Sequence, residues 1–255
     1  MPTPPTRPKA HALASSLAKL DRIDAVARPL AKAVRGAVPR GDVKDALSGT
    51  PLGHALHPVL TDVPIGSWTS ATLLDVLGGR DARAAAERLI AIGIAAAVPT
   101  AASGMTDWAD AEPADDEVRR VGMVHASANV GALALYAASL AARRRERHGL
   151  GVLLGLAGAG ALATGGWLGG HLSFAKGVGV DQTAWGARVG DWTDACADAD
   201  VPEGGMAHAE VRGVDVVLAR RGGHVFALAD RCTHRGGALH EGELVDGCVE
   251  CPLHG

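Results

Sequence analysis

The stretch Cys232-Thr233-His234 is followed, after sixteen intervening residues, by Cys251-Pro252-Leu253-His254. It supplies two thiolates and two imidazoles. Each half has the same internal order, with the sulfur first and the imidazole two or three residues later, and Gly and Pro residues lie close by. The pattern therefore predicts two similar loops that face each other and offer four ligands to a metal centre.

The mixture of ligand types within each loop is typical of a two-iron cluster. Thiolates stabilise the iron that stays ferric, while neutral imidazoles on the other iron remove negative charge and raise the reduction potential. A Cys2His2 zinc site uses the same ligands, but zinc fingers usually group their two Cys together and their two His together. A redox dithiol of Cys248 and Cys251 lacks the βαβ context that such a motif needs. The order favours a [2Fe-2S] cluster.

This arrangement resembles the Rieske [2Fe-2S] domain, whose pattern is Cys-x-His, a spacer of about this length, and Cys-x-x-His. The flanking Arg235-Gly236-Gly237 and Pro252 fit that pattern. The resemblance implies that the cluster ligands are Cys232, His234, Cys251 and His254. Neither loop has the extra Cys that forms a disulfide in respiratory cytochrome complexes, so the likeness is to the ferredoxin-like branch. A potential in the lower part of the roughly −150 to +300 mV Rieske range is therefore expected.

The region before the two loops reads as a small all-β domain that begins at about Gly186. Residues 206–211, 214–218 and 225–228 alternate or run apolar between glycine-containing turns, as short antiparallel strands do. His208, His224 and His240 are interpreted as surface or turn residues. Rieske domains normally continue past the last ligand with further strands, so we expect the domain at 186–255 to be C-terminally incomplete.

The segment from Pro58 to Gly170 holds four apolar runs of about the ~20 residues that a bilayer-spanning helix needs. Short charged separators divide them, and Gly is frequent in the last, which permits close helix contact. A soluble four-helix bundle is the alternative, but the last two runs lack the polar face it requires. We expect an all-α, four-helix transmembrane bundle over 48–182. The runs are residues 59–78, 89–106, 121–142 and 149–170.

The same segment resembles an uncharacterised bacterial membrane-domain family with a Gly-His-x-x-His-Pro motif leading into the first span. Here the motif is Gly53 to Pro58, and the likeness continues to residues 104–108 and 168–171. That family carries no established chemistry. The resemblance implies an integral membrane protein of a bacterial cytoplasmic membrane and little more.

The N-terminal segment, residues 1–47, has apolar residues every three or four positions and reads as an amphipathic helix. It is expected either on the membrane surface or packed against its own protein.

The N-terminal segment lacks the apolar core and cleavage site of a secretory signal. Export of a folded metal domain needs such a signal, so the Rieske domain is expected on the cytoplasmic side. Loop charges are almost balanced across the two sides.

Four spans place six polar residues at the same end of the bundle, with Asp75 at the other. Ionisable groups at membrane depth are costly, so a converging set indicates a functional site. Such a site binds a quinone headgroup, which we favour, ligates haem or another metal, or relays protons. Alternatively, the histidines lie in the interface and meet water. The six residues are His54, His57, Asp62, Asp107, His125 and His171.

These features together predict a membrane-anchored one-electron carrier. Its partners are the lipid bilayer and a redox partner protein or quinone, while a net charge of −3 argues against nucleic acid. The sequence has no recognisable second iron site of two His and a carboxylate, and no nucleotide-binding glycine motif. An electron-transfer component is therefore favoured over a complete enzyme. The alternative is a membrane redox sensor or scaffold whose cluster state controls partner binding.

Overall fold

The chain folds into two compact units, Met1–Lys176 and Gly177–Gly255, in a computed structural model that describes residues 9–234 and 236–253. The first unit is helical, and the second contains all the strands found in the described residues. The predicted order of a helical region followed by a small β region is confirmed.

The described residues of the first unit form seven α-helices, joined in places by short 3-10 turns, and the four longest coincide with the four apolar runs, each extended or shifted by a few residues. A single π-helical turn, His171–Ala175, follows the last helix. The helices are α1 (Lys9–Leu17), α2 (Asp24–Ala37), α3 (Asp42–Ser48), α4 (His57–Leu77), α5 (Arg83–Ala111), α6 (Asp116–Arg144) and α7 (His148–Gly170).

The four long helices pack in a ring, with α4 against α5, α5 against α6, α6 against α7 and α7 against α4. At the centre, the indole of Trp68 stacks on the ring of Tyr136, with centroids 4.3 Å apart and planes at 13°. The indole N–H of Trp68 donates to the carbonyl oxygen of Ile90 at 3.2 Å. These contacts join α4, α5 and α6 through one aromatic pair.

Within the part of the chain that the structure describes, three helical stretches are long and apolar enough to cross a membrane: Arg83–Ala114, Asp116–Arg144 and His148–Ala175. The helix α4 has 21 residues, a sufficient length, but it is not among them. Asp62, Asp75 and several hydroxyl side chains lower its hydropathy. Three of the four expected spans therefore have the length and composition of a membrane helix, and the four-span arrangement stays a prediction.

Glycines on α7 allow it to lie close to α6, as the composition predicts. A side chain at Gly158 would begin 3.0 Å from the ring of Tyr136, and one at Gly165 would begin 2.7 Å from the side-chain amide of Asn129. Gly160 and Gly166 have no such neighbour within 4 Å. Only part of the glycine-rich run therefore serves this interface.

The N-terminal helices pack against the protein itself, since α1 contacts α6 and α2 contacts both α5 and α6. Asp24 on α2 accepts hydrogen bonds from Arg120 Nε at 3.0 Å and Arg119 Nε at 3.1 Å. The hydrogen bond from Arg120, aided by Arg119, holds the pKa of Asp24 well below its usual range. This contact therefore stabilises the fold at neutral pH and weakens only when the pH falls far enough to protonate the carboxylate.

The second unit contains an antiparallel meander of β1 (Met206–Val211), β2 (Val214–Arg221) and β3 (His224–Ala229). Val201, Ala209, Val211 and Leu218 form its small apolar core. A short 3-10 turn, Leu239–Glu241, leads to a separate hairpin of β4 (Glu243–Val245) and β5 (Cys248–Glu250). The predicted strands are thus present, with β2 longer than expected.

Candidate metal centre

The first ligand loop follows β3 and turns back on itself. The backbone N–H of Gly236 donates to the carbonyl oxygen of Cys232, and the N–H of Cys232 donates to the carbonyl oxygen of Gly237, each at 2.8 Å. Gly236 has a φ of +70°, a conformation that other residues rarely adopt. A third bond, from the N–H of Gln182 to the carbonyl oxygen of Thr233 at 2.8 Å, connects the loop to the start of the second unit. These hydrogen bonds hold Cys232 and Thr233 in a closed turn.

The second ligand loop leaves β5 directly, because Cys251 follows the last residue of that strand. The β4–β5 hairpin pairs Val245 with Cys248 across a two-residue turn. Both turn residues, Asp246 and Gly247, have positive φ, at 50° and 85°, which matches the twist of a tight hairpin. The sixteen-residue spacer is thus accounted for by a 3-10 turn and a hairpin that bring the chain back to the first loop.

The two loops are in contact. A Cβ atom at Gly237 would lie 3.1 Å from Cys251 Sγ, so this sulfur rests against the backbone of the first loop. Cys251 is buried, with 7% of its surface exposed, and Cys232 is partly buried. His234 is also partly buried. His254, Gly255 and Arg235 lie outside the described residues. The described part of the two loops carries two thiolates and one imidazole, donor types that suit a cluster with mixed sulfur and nitrogen ligands.

Replacing Gly242 by Ala is expected to weaken the centre indirectly. A Cβ atom there would overlap the carbonyl oxygen of Glu250, which is backbone and has no room to move without opening the hairpin. We expect a loss of about 1–3 kcal/mol in stability, as for other overpacked sites, and earlier thermal bleaching of the cluster. Gly190→Ala is the control, since nothing lies within 4 Å of that position. Equal bleaching of the two variants would contradict the role of the hairpin.

Among the six polar residues of the membrane domain, the structure pairs His57 with His125. Their ring centroids are 6.5 Å apart, with the planes nearly perpendicular. The Nδ1 of His57 is 3.0 Å from the carbonyl oxygen of Thr100, and the Nδ1 of His125 is 2.8 Å from that of Gly165. Each imidazole is therefore oriented by the backbone of a neighbouring helix.

The other four members of that set are placed differently. His54 and Asp62 are exposed, and His54 Nδ1 contacts the carbonyl oxygen of the adjacent Ala55 at 3.1 Å. Asp107 is partly buried on α5. His171 Nε2 lies 3.4 Å from a carboxylate oxygen of Glu117. The predicted set thus contains one close pair, His57 and His125, and one member, His171, with a carboxylate partner.

The opposite end of the bundle holds an ion pair that sequence reasoning missed. Arg143 Nη1 donates to Asp75 Oδ1 at 2.9 Å, and Nη2 donates to Oδ2, so the pair is bidentate. The side chains are only 1% and 5% exposed, respectively. Asp75 is a carboxylate within an apolar run, which already indicated that it needs a partner. Arg143 lies at the same end of the bundle in the sequence-based arrangement, and this was the signal that could have identified it.

A second group of side chains that the sequence did not reveal lies in the second unit. His208, Asp230 and His240 each offer a ligand atom, and the three atoms lie within 4.8 Å of one another. They come from β1, from the residue after β3 and from the 3-10 turn, so no sequence spacing reveals the group. The sequence analysis treated His208 and His240 as surface or turn residues. It did not predict that the buried carboxylate of Asp230 lies next to both of them.

Comparison with known families finds two matching models in the predicted order. The model described as "Predicted membrane protein (DUF2231)" matches residues 53–182, and the Rieske [2Fe-2S] domain matches residues 191–255. The fused arrangement expected from the sequence is confirmed. The Rieske match implies a [2Fe-2S] cluster, in agreement with the expectation from the sequence.

Curated relatives match about a quarter of this chain. The ferredoxin component of the naphthalene 1,2-dioxygenase/salicylate 5-hydroxylase systems of Ralstonia sp is 34% identical over 64 residues, 25% of this chain and 62% of that protein. The 3-phenylpropionate/cinnamic acid dioxygenase ferredoxin subunit of Escherichia coli (strain K12) is 44% identical over 61 residues, 24% of this chain and 57% of that protein. The chain therefore spans about 57–62% of the length of these relatives. No solved structure matches it.

Proposed function

Since this chain belongs to the DUF2231 family of predicted membrane proteins and carries a Rieske [2Fe-2S] domain behind that region, we propose that it is a membrane-anchored one-electron carrier. The likeness to ferredoxin components supports electron transfer by the second unit. The apolar helices of the first unit would anchor that unit to the lipid. The Rieske domain is proposed to lie on the cytoplasmic side of a bacterial cytoplasmic membrane.

The proposed ligands are Cys232, His234, Cys251 and His254. The observation that carries this assignment is the contact of Cys251 Sγ with Gly237, which places the sulfur of the second loop against the first. The bound cluster supplies one-electron redox chemistry. Cys232 and Cys251 would supply thiolates to the cluster, and His234 and His254 would supply neutral imidazoles, which raise its reduction potential.

A protein oxidoreductase is the proposed redox partner. The names of both relatives describe ferredoxins that are parts of dioxygenase systems, and a part of that kind exchanges electrons with other proteins. The described residues of the β unit include no glycine-rich nucleotide motif, so the electrons are proposed to come from outside the chain.

The test is reduction of the full-length, cluster-loaded protein in lipid nanodiscs by NADH and a flavin-dependent ferredoxin reductase. We expect the reduced cluster to appear in low-temperature EPR with one electron per cluster, and to reoxidise when a Rieske-type dioxygenase is added. A Cys251→Ser variant in the same nanodiscs controls for electrons that bypass the cluster. A cluster that is present and reducible by dithionite, but that exchanges electrons with no protein or quinol, would rule out the carrier.

A quinone bound at the His57–His125 pair is a second candidate electron donor. The observation that favours it is the placement of two imidazoles from different helices. Each donates Nδ1–H to a backbone carbonyl oxygen, so its Nε2 can accept a hydrogen bond from a hydroxyl of the reduced quinol. A short-chain quinol should then reduce the cluster in nanodiscs. His57→Ala should abolish this reduction and leave the EPR spectrum unchanged, whereas His54→Ala, an exposed neighbour, should have no effect. Unchanged reduction in His57→Ala would exclude the quinone site.

A further inference from the structure

The group formed by His208, Asp230 and His240 has a buried carboxylate at its centre. The side chain of Asp230 is only 3% exposed. One of its oxygens, Oδ1, accepts a hydrogen bond from the backbone N–H of His240 at 2.7 Å, and the other, Oδ2, contacts His240 Nδ1. A carboxylate removed from water in this way needs a positive partner nearby. A metal ion or a protonated imidazole can supply that charge.

Both histidines are open to solvent on one side, with 38% of the His208 side chain and 32% of the His240 side chain exposed. Their rings face each other at a centroid distance of 4.5 Å. The three ligand atoms lie within 4.8 Å of one another, a distance from which small side-chain rotations reach a common ion at the ~2.0–2.2 Å that nitrogen and oxygen ligands adopt. The open side leaves room for water to complete the coordination.

A second carboxylate orients His208. Asp215, the residue opposite Glu210 in the β1–β2 ladder, has its Oδ1 atom 2.9 Å from His208 Nε2. When Nε2–H donates to this carboxylate, the lone pair of the neutral ring is on Nδ1. A carboxylate that accepts the N–H of a ligating histidine is the usual support of a protein metal site, because it sets the tautomer and makes the ring more basic.

We propose that His208, Asp230 and His240 bind one divalent transition-metal ion, separate from the [2Fe-2S] cluster. Two imidazoles and one carboxylate are borderline ligands that suit Zn²⁺, and the same set with open positions also suits Fe²⁺. The four ligands proposed for the cluster contribute nothing to this site. Asp230 and His240 lie on either side of the first ligand loop in sequence, so the ion would also tie the two ends of that loop together.

The experiment uses the full-length, cluster-loaded protein, washed with a chelator, equilibrated with Zn²⁺ and passed through gel filtration. Zinc, iron and acid-labile sulfide are then measured in the same sample. We expect about one zinc for every two sulfides in the wild type and close to none in His208→Ala, whose altered side chain is on an exposed strand position and should not affect folding. Asp215→Asn should weaken zinc binding by about 10–100-fold, as loss of a supporting carboxylate does.

His224→Ala is the matched control, because His224 is an exposed histidine of the same sheet outside the group. It should retain zinc like the wild type. The EPR spectrum of the reduced cluster should be the same in all variants, which separates loss of this ion from loss of the cluster. A ratio of three irons to two sulfides before chelation, falling to two in His208→Ala, would identify the ion as Fe²⁺. Equal zinc in the wild type and His208→Ala, or no zinc in either, would overturn the proposal.

Discussion

Cys251→Ser is expected to leave the protein without its [2Fe-2S] cluster, which is a larger effect than we expect from any other single substitution. Cys251 is the buried sulfur that lies against Gly237, and a hydroxyl is a hard, weakly acidic ligand that iron in such a cluster does not accept in place of a thiolate. Iron and acid-labile sulfide should fall from about two atoms of each per chain to nearly none. The EPR signal of the dithionite-reduced protein should disappear with them.

The control for this substitution is Cys248→Ser, three residues earlier in the chain. Cys248 is exposed and forms the end of the β4–β5 hairpin next to the turn, so we expect the variant to keep its cluster and spectrum. Retention of the cluster in Cys251→Ser, or its loss in Cys248→Ser, would mean that the ligand loops are wrongly assigned. Stoichiometric zinc in place of iron in the wild type would contradict the cluster itself.

Asp75→Leu is expected to destabilise the helical unit by about 3–5 kcal/mol, because it leaves the Arg143 guanidinium buried without its counter-ion. The pair is bidentate and almost wholly inaccessible, so water cannot replace the lost carboxylate. Thermal unfolding in detergent or nanodiscs, followed by circular dichroism, should show a clear fall in the midpoint. Because such unfolding is often irreversible, all variants should be scanned at one rate.

Two further variants make this prediction specific. Asp75→Leu combined with Arg143→Met should recover most of the lost stability, since replacing both members of a buried pair by apolar side chains is often neutral or better. Glu87→Gln breaks the neighbouring Arg144–Glu87 contact of 3.7 Å, which is largely exposed, and should cost less than about 1 kcal/mol. A double variant as unstable as Asp75→Leu would show that the charge left behind is not the cause.

The sequence by itself determined the four long helices, the first three strands and the family to which the helical unit belongs. Apolar runs of sufficient length indicated the four long helices, and alternation indicated β1 to β3. The order of Cys232, His234, Cys251 and His254 identified the Rieske domain, because the ligands of that cluster lie in two short loops with a characteristic spacing. Information of this kind is local, and it is therefore visible in a single chain without a structure.

Only the tertiary structure decided which distant side chains meet. Asp75 and Arg143, His57 and His125, and the group of His208, Asp230 and His240 are each brought together by helix packing or strand register, which no local pattern encodes. The structure does not decide the number of membrane spans. The helix α4 is long enough to cross a bilayer, but it is more polar than the three helical stretches that have the hydropathy of a membrane span. The physical reason is that composition and periodicity determine the elements, whereas pairwise contacts depend on how each element is rotated and aligned against its neighbours.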